Sequence, residues 1–231
     1  MLDSRLLHHL AAWLGQWPPG QPLQVVGSTR RELPGWDGRL HPAIGVASPE
    51  RGVLSVSPQW TKLVRGLARD GLEHLLADLP AAVGCPGYGV YHRVFRWTLR
   101  PAPLADAGEW LPADDPAVPP WLRVFGGEVL VARHPETGAY QAGLGVKRHD
   151  RHGRELAVRV APEARSRGLA RRLIAQGARR VLDEGAVPTL QHEPGCGAAA
   201  RAAAAAGLPD RGWTAYGVAG GGPSGRAQWQ T

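Results

Sequence analysis

The sequence predicts a mixed α/β fold, and three observations lead to that prediction. The 231-residue chain is 43% hydrophobic, which is enough to bury a core. Several short segments alternate apolar and polar residues, as β-strands do, and others place apolar residues three and four positions apart, as amphipathic helices do. In the second half of the chain the two patterns follow one another in turn, which favours a sheet covered by helices.

The first hundred residues contain helix and strand patterns in short pieces. An amphipathic helix is expected at residues 2–17, with Leu10 and Trp13 on its apolar side, and Pro18 ends it. The other elements expected here are strands at residues 23–26, 44–47 and 53–56, a helix at 60–79 and a strand at 90–99. A turn at residues 48–52 joins the second and third strands as a hairpin.

The second half of the chain has a more regular pattern. Residues 101–120 are rich in Pro, Ala and Asp, so a boundary between two regions is expected there. The elements expected after it are strands at 128–133, 140–146 and 155–160, a helix at 168–184, a strand at 187–192, a helix at 197–206 and a strand at 213–218. Gly185 is the expected end of the longer helix. The Gly-rich, polar tail at 220–231 is expected to be poorly ordered.

Charge and cysteine content limit the classes of partner. The net charge of +7 favours an anionic partner. Nucleic acid is the general candidate, but the arginines do not form the long basic tail that would favour it. Two cysteines, Cys85 and Cys196, without a CxxC pair indicate neither a disulfide framework nor a cysteine zinc site, so no metal is expected.

The sequence also predicts a compartment. No apolar run approaches the roughly 20 residues that cross a bilayer, so no membrane partner is expected. The first residues carry Asp3, Arg5 and His8, unlike the start of a secretory signal. A soluble, cytoplasmic protein is therefore expected.

Segment 156–182 carries the strongest functional signal in the chain. An apolar strand runs into Pro162, a Gly- and Arg-rich turn follows, and an amphipathic helix begins directly after it. Such a turn exposes helix N–H groups and the positive end of the helix dipole to a ligand. Arginines crowd this end of the helix, where a bound anion would compensate them. They are Arg165, Arg167, Arg171 and Arg172. Because Gly168 permits close approach to the backbone, the segment predicts a phosphate or pyrophosphate site.

The same segment resembles motif A of the GCN5-related N-acetyltransferase (GNAT) family, in which the acetyl-CoA loop reads Arg/Gln-x-x-Gly-x-Gly/Ala. The matching residues run Arg165-Ser166-Arg167-Gly168-Leu169-Ala170 and follow Val160-Ala161-Pro162. The apolar strand before them and the periodic helix after them make the match specific. The order of predicted elements over residues 120–218 is also similar to that of the family core.

The resemblance implies a GNAT-like acyltransferase core at residues 106–219, with an α/β extension or domain at residues 1–105. The N-terminal region carries no motif of its own. Its length favours a separate domain over an elongated beginning of the family core. The sequence is compatible with a homodimer.

The resemblance also implies an enzyme that uses acetyl-CoA as co-substrate and acetylates an amine of a small molecule or peptide. Strand backbone groups would hold the pantetheine arm and receive the acyl oxygen, and the helix N-terminus would hold the pyrophosphate. The residues expected to bind the coenzyme are Val158, Arg159, Val160, Arg165, Ser166, Arg167, Gly168, Leu169, Ala170 and Arg171.

Acetyl transfer requires a group that accepts the proton of the amine. Many family members use a Glu at the start of the strand leading into motif A, so Glu155 is one candidate base. His192, at the end of the neighbouring strand, is a second candidate, because the reference pKa of histidine suits proton transfer near neutral pH. His149 and His152 are further histidine candidates.

The general acid of the family has no counterpart at its usual position. Family members commonly carry an Asn after the second strand of the site and a Tyr in the last helix, and Cys196 and Ala203 stand there instead. Tyr216, on the expected closing strand, is the candidate replacement. Direct attack with solvent protonating the thiolate is the alternative, since a thiol of pKa near 8.5 is a good leaving group.

Two other classes of function remain open, a GNAT relative that binds CoA without catalysis and a basic nucleic-acid-binding protein. No GxxxxGK[ST], GxGxxG, GxSxG or HExxH occurs, so NTPase, dinucleotide-binding, serine-hydrolase and zincin functions lack support. The acceptor is not specified, although Asp114, Asp115 and Asp210 lie in loops where they would attract a cationic amine.

Overall fold

The computed structural model describes residues 3–219, except for the side chain of Asp70. The expected tail at 220–231 and the first residue of the expected first helix lie outside the described residues. The chain forms two compact units, one comprising the described residues 3–95 and 211–219, the other Arg96–Asp210. The division at residues 105 and 106 that the sequence suggested stays a prediction.

Residues 3–219 form ten β-strands and six α-helices, which confirms the predicted mixed α/β class. The strands are β1 (Leu23–Gly27), β2 (Ala43–Ala47), β3 (Gly52–Val56), β4 (Val90–Trp97), β5 (Glu109–Pro112), β6 (Glu128–Arg133), β7 (Tyr140–Arg148), β8 (Gly153–Val160), β9 (Val187–His192) and β10 (Thr214–Val218). The helices are α1 (Ser4–Leu14), α2 (Thr61–Leu67), α3 (Leu72–Ala82), α4 (Pro120–Arg123), α5 (Leu169–Asp183) and α6 (Gly197–Ala205). Among these helices none is both long and apolar enough to cross a membrane.

The first unit arranges its strands in the order β1-β3-β2-β10-β4. Strands β1 and β3 are parallel, and the other neighbours are antiparallel. The apolar residues of α2 and α3 pack on this sheet and form one buried core. Its largest members are Leu54, Leu75, Leu79 and Tyr216.

The continuous helix predicted at residues 60–79 is wrong. The structure has two helices, α2 and α3, separated by a short 3₁₀ turn and Gly71. Gly71 has φ +96°, a conformation that an α-helix does not contain and that glycine adopts at little cost. The apolar spacing continued across this break, and periodicity alone therefore could not reveal it.

The second unit arranges its complete strands in the order β9-β8-β7-β6-β5. Strands β8 and β9 are parallel, and the other neighbours are antiparallel. Helix α5 packs against one face of this sheet, where Leu144, Leu156 and Leu173 are buried together. Leu122 of α4 and Phe125, two residues after that helix, pack on the opposite face of β7, over Gly143 and Gly145, which leave room for them.

The segment predicted as a boundary at residues 101–120 contains an unpredicted strand, β5, which pairs with β6. Gln176 of α5 fixes the approach to β5. Its Oε1 accepts hydrogen bonds from the N–H groups of Ala107 and Gly108 at 3.0 and 3.1 Å, and its Nε2 donates to the Gly108 carbonyl at 2.9 Å. The proline-rich composition concealed this strand because prolines are depleted in sheets.

Candidate functional site

The turn between β8 and α5 has the backbone geometry of an anion site. A short 3₁₀ turn covers Pro162–Ala164, and α5 begins at Leu169. Between them Ser166 has φ +64° and Gly168 has φ +76°. Left-handed residues alternating with extended or right-handed ones turn successive N–H groups toward one side, a concavity that binds anions. Serine rarely adopts this conformation, so the turn holds a backbone strain that a ligand would offset.

The N-terminus of α5 lacks the groups that normally satisfy it. Gly168 stands at the N-cap and provides no side-chain hydrogen bond, and the first turn contains no acidic residue. Consequently the first N–H groups of the helix and its positive dipole end are open to an anionic ligand.

The arginines at this end of α5 separate into two groups. Arg172 donates to the backbone carbonyls of Ala105 and Asp106, so it holds the approach to β5 rather than a ligand. The other three are exposed and form no ion pair or side-chain hydrogen bond with a described residue. They are Arg165, Arg167 and Arg171. Three positive charges beside an uncapped helix N-terminus favour a polyanion.

The strands β8 and β9 separate on the side of this turn. Their parallel pairing, within the described residues, runs from Gly153 opposite Val187 to Leu156 opposite Leu190 and then ends. Strand β8 continues to Val160 and is paired with β7 from Arg154 to Val160. Residues 157–160 therefore border a gap that an extended ligand can enter as an added strand.

The side chains of β8 alternate between the two faces of the sheet. Val158 and Val160 pack with the core beneath α5. Glu155 and Arg159, which stand at odd positions, lie on the opposite face, where the Arg159 guanidinium is 5.0 Å from the ring centre of Trp121. Trp121 also donates from Nε1 to the hydroxyl of Tyr140 at 3.3 Å.

Glu155 is buried in a network of hydrogen bonds on this face. Lys147 Nζ donates to Oε1 at 2.5 Å, and Gln191 Nε2 donates to Oε2 at 2.9 Å. His149 Nε2 lies 3.0 Å from the same Oε2. Burial raises the pKa of Glu155, but the positive charge of Lys147 and the hydrogen bond from His149 lower it by more, so the pKa is well below its ordinary value. Glu155 is therefore a stable carboxylate and a weak base in this structure.

His192 lies on the other face of the sheet from Glu155. It is two positions from Leu190, whose side chain belongs to the core beneath α5, and alternation places both on that face. The buried Arg96 donates from Nε to His192 Nε2 at 2.9 Å. Because a guanidinium has no acceptor, Nε2 must accept, and Nδ1, 2.9 Å from the Glu193 carbonyl, carries the proton and donates to it. Both ring nitrogens of His192 are thus engaged, and Glu155 and His192 are not brought together.

Arg96 extends this cluster around His192. It donates to the Leu208 carbonyl at 3.0 Å and to Asp210 Oδ2 at 3.3 Å. Asp210, which the sequence suggested as an attractor for a cationic acceptor, therefore already faces a cation. Asp210 follows α6, and Arg96 bonds both Asp210 and His192, so these side chains connect the end of α6 to the end of β9.

Tyr216 lies in the core of the first unit. Its side chain packs on Gly45 and Gly52, and its hydroxyl donates to the Val53 carbonyl at 3.4 Å. Burial raises the pKa of this hydroxyl far above its ordinary value. The structure gives Tyr216 the surroundings of a core tyrosine.

Sequence reasoning missed Lys147, Gln191 and Arg96. A detectable signal existed for Lys147. It lies directly across the β7–β8 hairpin from Glu155, but the strand predicted at residues 140–146 ended one residue too early to include it. Gln191 and Arg96 carry no motif, because their importance comes from residues that are distant in the sequence.

Comparison with known proteins identifies the class. The model of the acetyltransferase (GNAT) family matches residues 91–207, just over half of the chain. The chain therefore belongs to the GNAT acetyltransferase family, and the resemblance noted in segment 156–182 is confirmed. No curated protein matches the chain.

Solved structures similar to this chain come from the same family. A GNAT-family protein from Novosphingobium aromaticivorans is 24% identical, with 58% of this chain and 67% of that one covered and a TM-score of 0.47. A GNAT-family acetyltransferase from Colwellia psychrerythraea is 14% identical, with 71% and 75% covered and a TM-score of 0.46. A GCN5-related N-acetyltransferase-like protein from Streptococcus suis is 16% identical, with 92% and 98% covered and a TM-score of 0.47.

Proposed function

We propose that this family member binds acetyl-CoA and transfers its acetyl group to a primary amine of a small molecule or peptide. One observation carries the proposal: the left-handed turn at Ser166 and Gly168 presents the uncapped N-terminus of α5 beside three arginines that pair with no described residue. Coenzyme A carries a pyrophosphate and a 3′-phosphate, which supply the anion that this arrangement lacks. No metal is part of the proposal.

The coenzyme would occupy the turn and the adjoining gap. Backbone N–H groups of residues 167–171 would donate to the pyrophosphate, and Arg165 and Arg171 would provide charge-assisted contacts. The backbone of residues 158–160 would pair with the pantetheine arm as a strand does, on the side that β9 has left. The thioester would then lie in the gap between β8 and β9.

The reaction balances without an additional co-reactant. A protonated amine first loses a proton to water. The neutral nitrogen then attacks the acyl carbon, a C–N bond forms, the C–S bond breaks, and the thiolate leaves, while the acylated nitrogen loses a second proton to water. The thiolate takes a proton from water, and one proton is released for each acetyl group transferred. Backbone N–H groups at the gap would stabilise the oxyanion of the tetrahedral intermediate.

The proton route proposed from the sequence uses Glu155 or His192 as base and Tyr216 as acid, and these roles stay proposals. The environments of the three residues favour solvent as the proton carrier. Glu155 and His192 already accept hydrogen bonds from protein side chains, and the Tyr216 hydroxyl is enclosed in a hydrophobic core. Because a thiol is a good leaving group near neutral pH, transfer does not require an enzyme acid.

Two measurements test the proposal. Titration calorimetry with acetyl-CoA and CoA should show saturable binding at one site. Release of free thiol should then be followed with a panel of spermidine, tyramine, lysine and a short peptide with a free N-terminus, and the acetylated product identified by mass spectrometry. Turnover of at least one amine is the expected result. Binding without turnover on any amine would favour the inert relative.

The nucleic-acid alternative makes a different prediction. It requires binding to RNA or DNA that weakens with salt in proportion to the number of phosphate contacts. It also predicts that neither coenzyme stabilises the protein. By contrast, a ligand that saturates its site at 100 times the Kd adds about 2.7 kcal/mol of stability, which a thermal-shift assay detects.

A further inference from the structure

Gln191 occupies the position on β9 next to the point where the two strands of the site separate. The last residue pair between β8 and β9 is Leu156 with Leu190, and Gln191 follows directly. Its side chain reaches Glu155, so it lies on the face of the sheet away from α5. Gln191 is half-buried. It therefore borders the gap in which the thioester is proposed to lie.

The chemistry of Glu155 fixes the orientation of the Gln191 amide. An ionised carboxylate has only acceptors, so the group that faces it must be the Nε2 donor of Gln191, at 2.9 Å. The amide oxygen of Gln191 then points away from Glu155. Lys147 on Oε1 and His149 on Oε2 hold the carboxylate from the other side. Among the described residues none donates a hydrogen bond to Gln191 Oε1, so a residue next to the gap retains one open acceptor.

We propose that Gln191 Oε1 accepts a hydrogen bond from the acceptor amine, and that Glu155 is the positioning residue for Gln191 rather than the base. This inference rests on the proposed function. An N–H group of the amine held by Oε1 leaves the nitrogen lone pair directed to the acyl carbon. An amide oxygen does not take the proton, which goes to water before attack.

The geometry of Glu155 supports the positioning role over the role of base. Both carboxylate oxygens are bonded to other side chains of the protein, and only 4% of the residue is exposed. A base must reach the proton that it removes, directly or through one water. Glu155 instead accepts a hydrogen bond from Gln191, the residue next to the point where β8 and β9 separate.

Substitutions within this network can distinguish a positioning role of Glu155 from a role as the base. Lys147 bonds one carboxylate oxygen, whereas His149 and Gln191 share the other. In a Lys147→Met/Glu155→Gln variant, the new amide oxygen can take the Oε2 position and accept from Gln191, while its NH₂ group faces the methionine. A Lys147→Met/Glu155→Leu variant removes the acceptor as well. Neither variant leaves a buried lysine without a partner.

The expected result is a rescue pattern. Gln191→Leu and Lys147→Met/Glu155→Leu should each lower kcat/KM for the best amine of the panel by about tenfold or more, the cost of a lost oriented hydrogen bond to a polar substrate. KM for acetyl-CoA should stay as in wild type. Lys147→Met/Glu155→Gln should restore most of the activity, and its pH profile should keep the acid limb, because that limb reports the ionisation of the amine.

Other outcomes would overturn the proposal. If Lys147→Met/Glu155→Gln is as inactive as the leucine variant and loses the acid limb, Glu155 is the base. If Gln191→Leu keeps wild-type kinetics, Gln191 does not contact the amine. Gln24→Leu provides the control, since Gln24 is a half-buried strand glutamine of the other unit whose Nε2 also donates a 2.9 Å side-chain hydrogen bond, to Gln16.

Folding and the underlying activity are checked separately. Thermal unfolding of each variant shows whether it folds, and the side-chain NH₂ signals of Gln191 in a ¹⁵N NMR spectrum should shift when the amine is added to the CoA complex. An unshifted signal at saturating amine overturns the contact even if a variant fails to fold. Absence of turnover by the wild-type protein would refute the proposed function itself, a result distinct from turnover that is insensitive to Gln191.

Discussion

Alanine substitutions at the two ends of α5 should separate the effect of the turn on coenzyme binding from the effect of backbone strain. Gly168 has φ +76° and Gly185, at the other end of α5, has φ +78°. A side chain in this conformation costs about 1–2 kcal/mol at either position. Gly168→Ala and Gly185→Ala should therefore lower the melting temperature by similar amounts, roughly 2–8 °C for a chain of this size.

The two variants should differ in their affinity for the coenzyme. A Cβ atom at position 168 would lie 3.0 Å from Arg171 Nε, so the guanidinium must shift by a few tenths of an ångström, whereas a Cβ atom at position 185 meets nothing within 4 Å. We expect acetyl-CoA to bind Gly168→Ala at least about tenfold more weakly, or 1.4 kcal/mol, and Gly185→Ala as tightly as wild type.

Titration calorimetry and thermal shift measure this difference. At a coenzyme concentration of 100 times the wild-type Kd, stabilisation should fall from about 2.7 kcal/mol in wild type to about 1.4 kcal/mol in Gly168→Ala. Wild-type affinity in both variants would refute the claim that the turn binds the coenzyme. A loss in Gly185→Ala as large as in Gly168→Ala would show that strain in α5, rather than the turn, controls binding.

Three further predictions concern charge, the buried tyrosine and pH. Arg165→Ser and Arg171→Ser should each weaken acetyl-CoA binding by about three- to tenfold and reduce its salt dependence, measured by calorimetry at two salt concentrations; unchanged affinity would remove these side chains from the site. Tyr216→Phe should retain turnover and lose no more than about 1 kcal/mol of stability in urea unfolding. A hundredfold loss of kcat in a folded variant would instead show that the Tyr216 hydroxyl takes part in catalysis. The lowered pKa of Glu155 means that the unfolded chain binds a proton that the native state does not, so stability is present above the ordinary glutamate pKa and falls as pH decreases through and below it. Urea unfolding between about pH 6 and about pH 3 should show a slope up to about 1.4 kcal/mol per pH unit steeper in wild type than in Lys147→Met/Glu155→Gln, and parallel slopes would contradict the assigned ionisation.

The sequence predicted the strand, turn and helix of segment 156–182 because its signals are local. A strand ending at a proline, a glycine at the helix start and an apolar repeat after it lie within segment 156–182, and the structure has β8 and α5 there. Local composition could not separate the arginines by role. Arg172 binds the carbonyls of residues 105 and 106, which lie 67 and 66 positions earlier in the chain.

The network around Glu155 could be predicted only in part. Its pairing with Lys147 follows from the hairpin register, which a slightly longer strand would have revealed. Its bond to Gln191 depends on the parallel pairing of β8 and β9, which α5 separates in the sequence, so no hairpin turn defines their register. The environment of His192 depends on Arg96, which is 96 positions away.

The break at Gly71 and the strand β5 illustrate two other limits. Apolar spacing continued through the break, so the helix pattern gave no sign that the backbone changes direction there. In β5, the pairing with β6 and the hydrogen bonds from Gln176 stabilise a strand that its proline-rich surroundings conceal. Long-range contacts override local propensity in both places.

A crystal structure of the protein soaked with CoA would test the central claim most directly. The pyrophosphate should accept hydrogen bonds from the backbone N–H groups of residues 167–171, and the pantetheine arm should run along residues 158–160 toward Gln191. A coenzyme bound elsewhere on the chain, with the turn at Ser166 and Gly168 unoccupied, would contradict it.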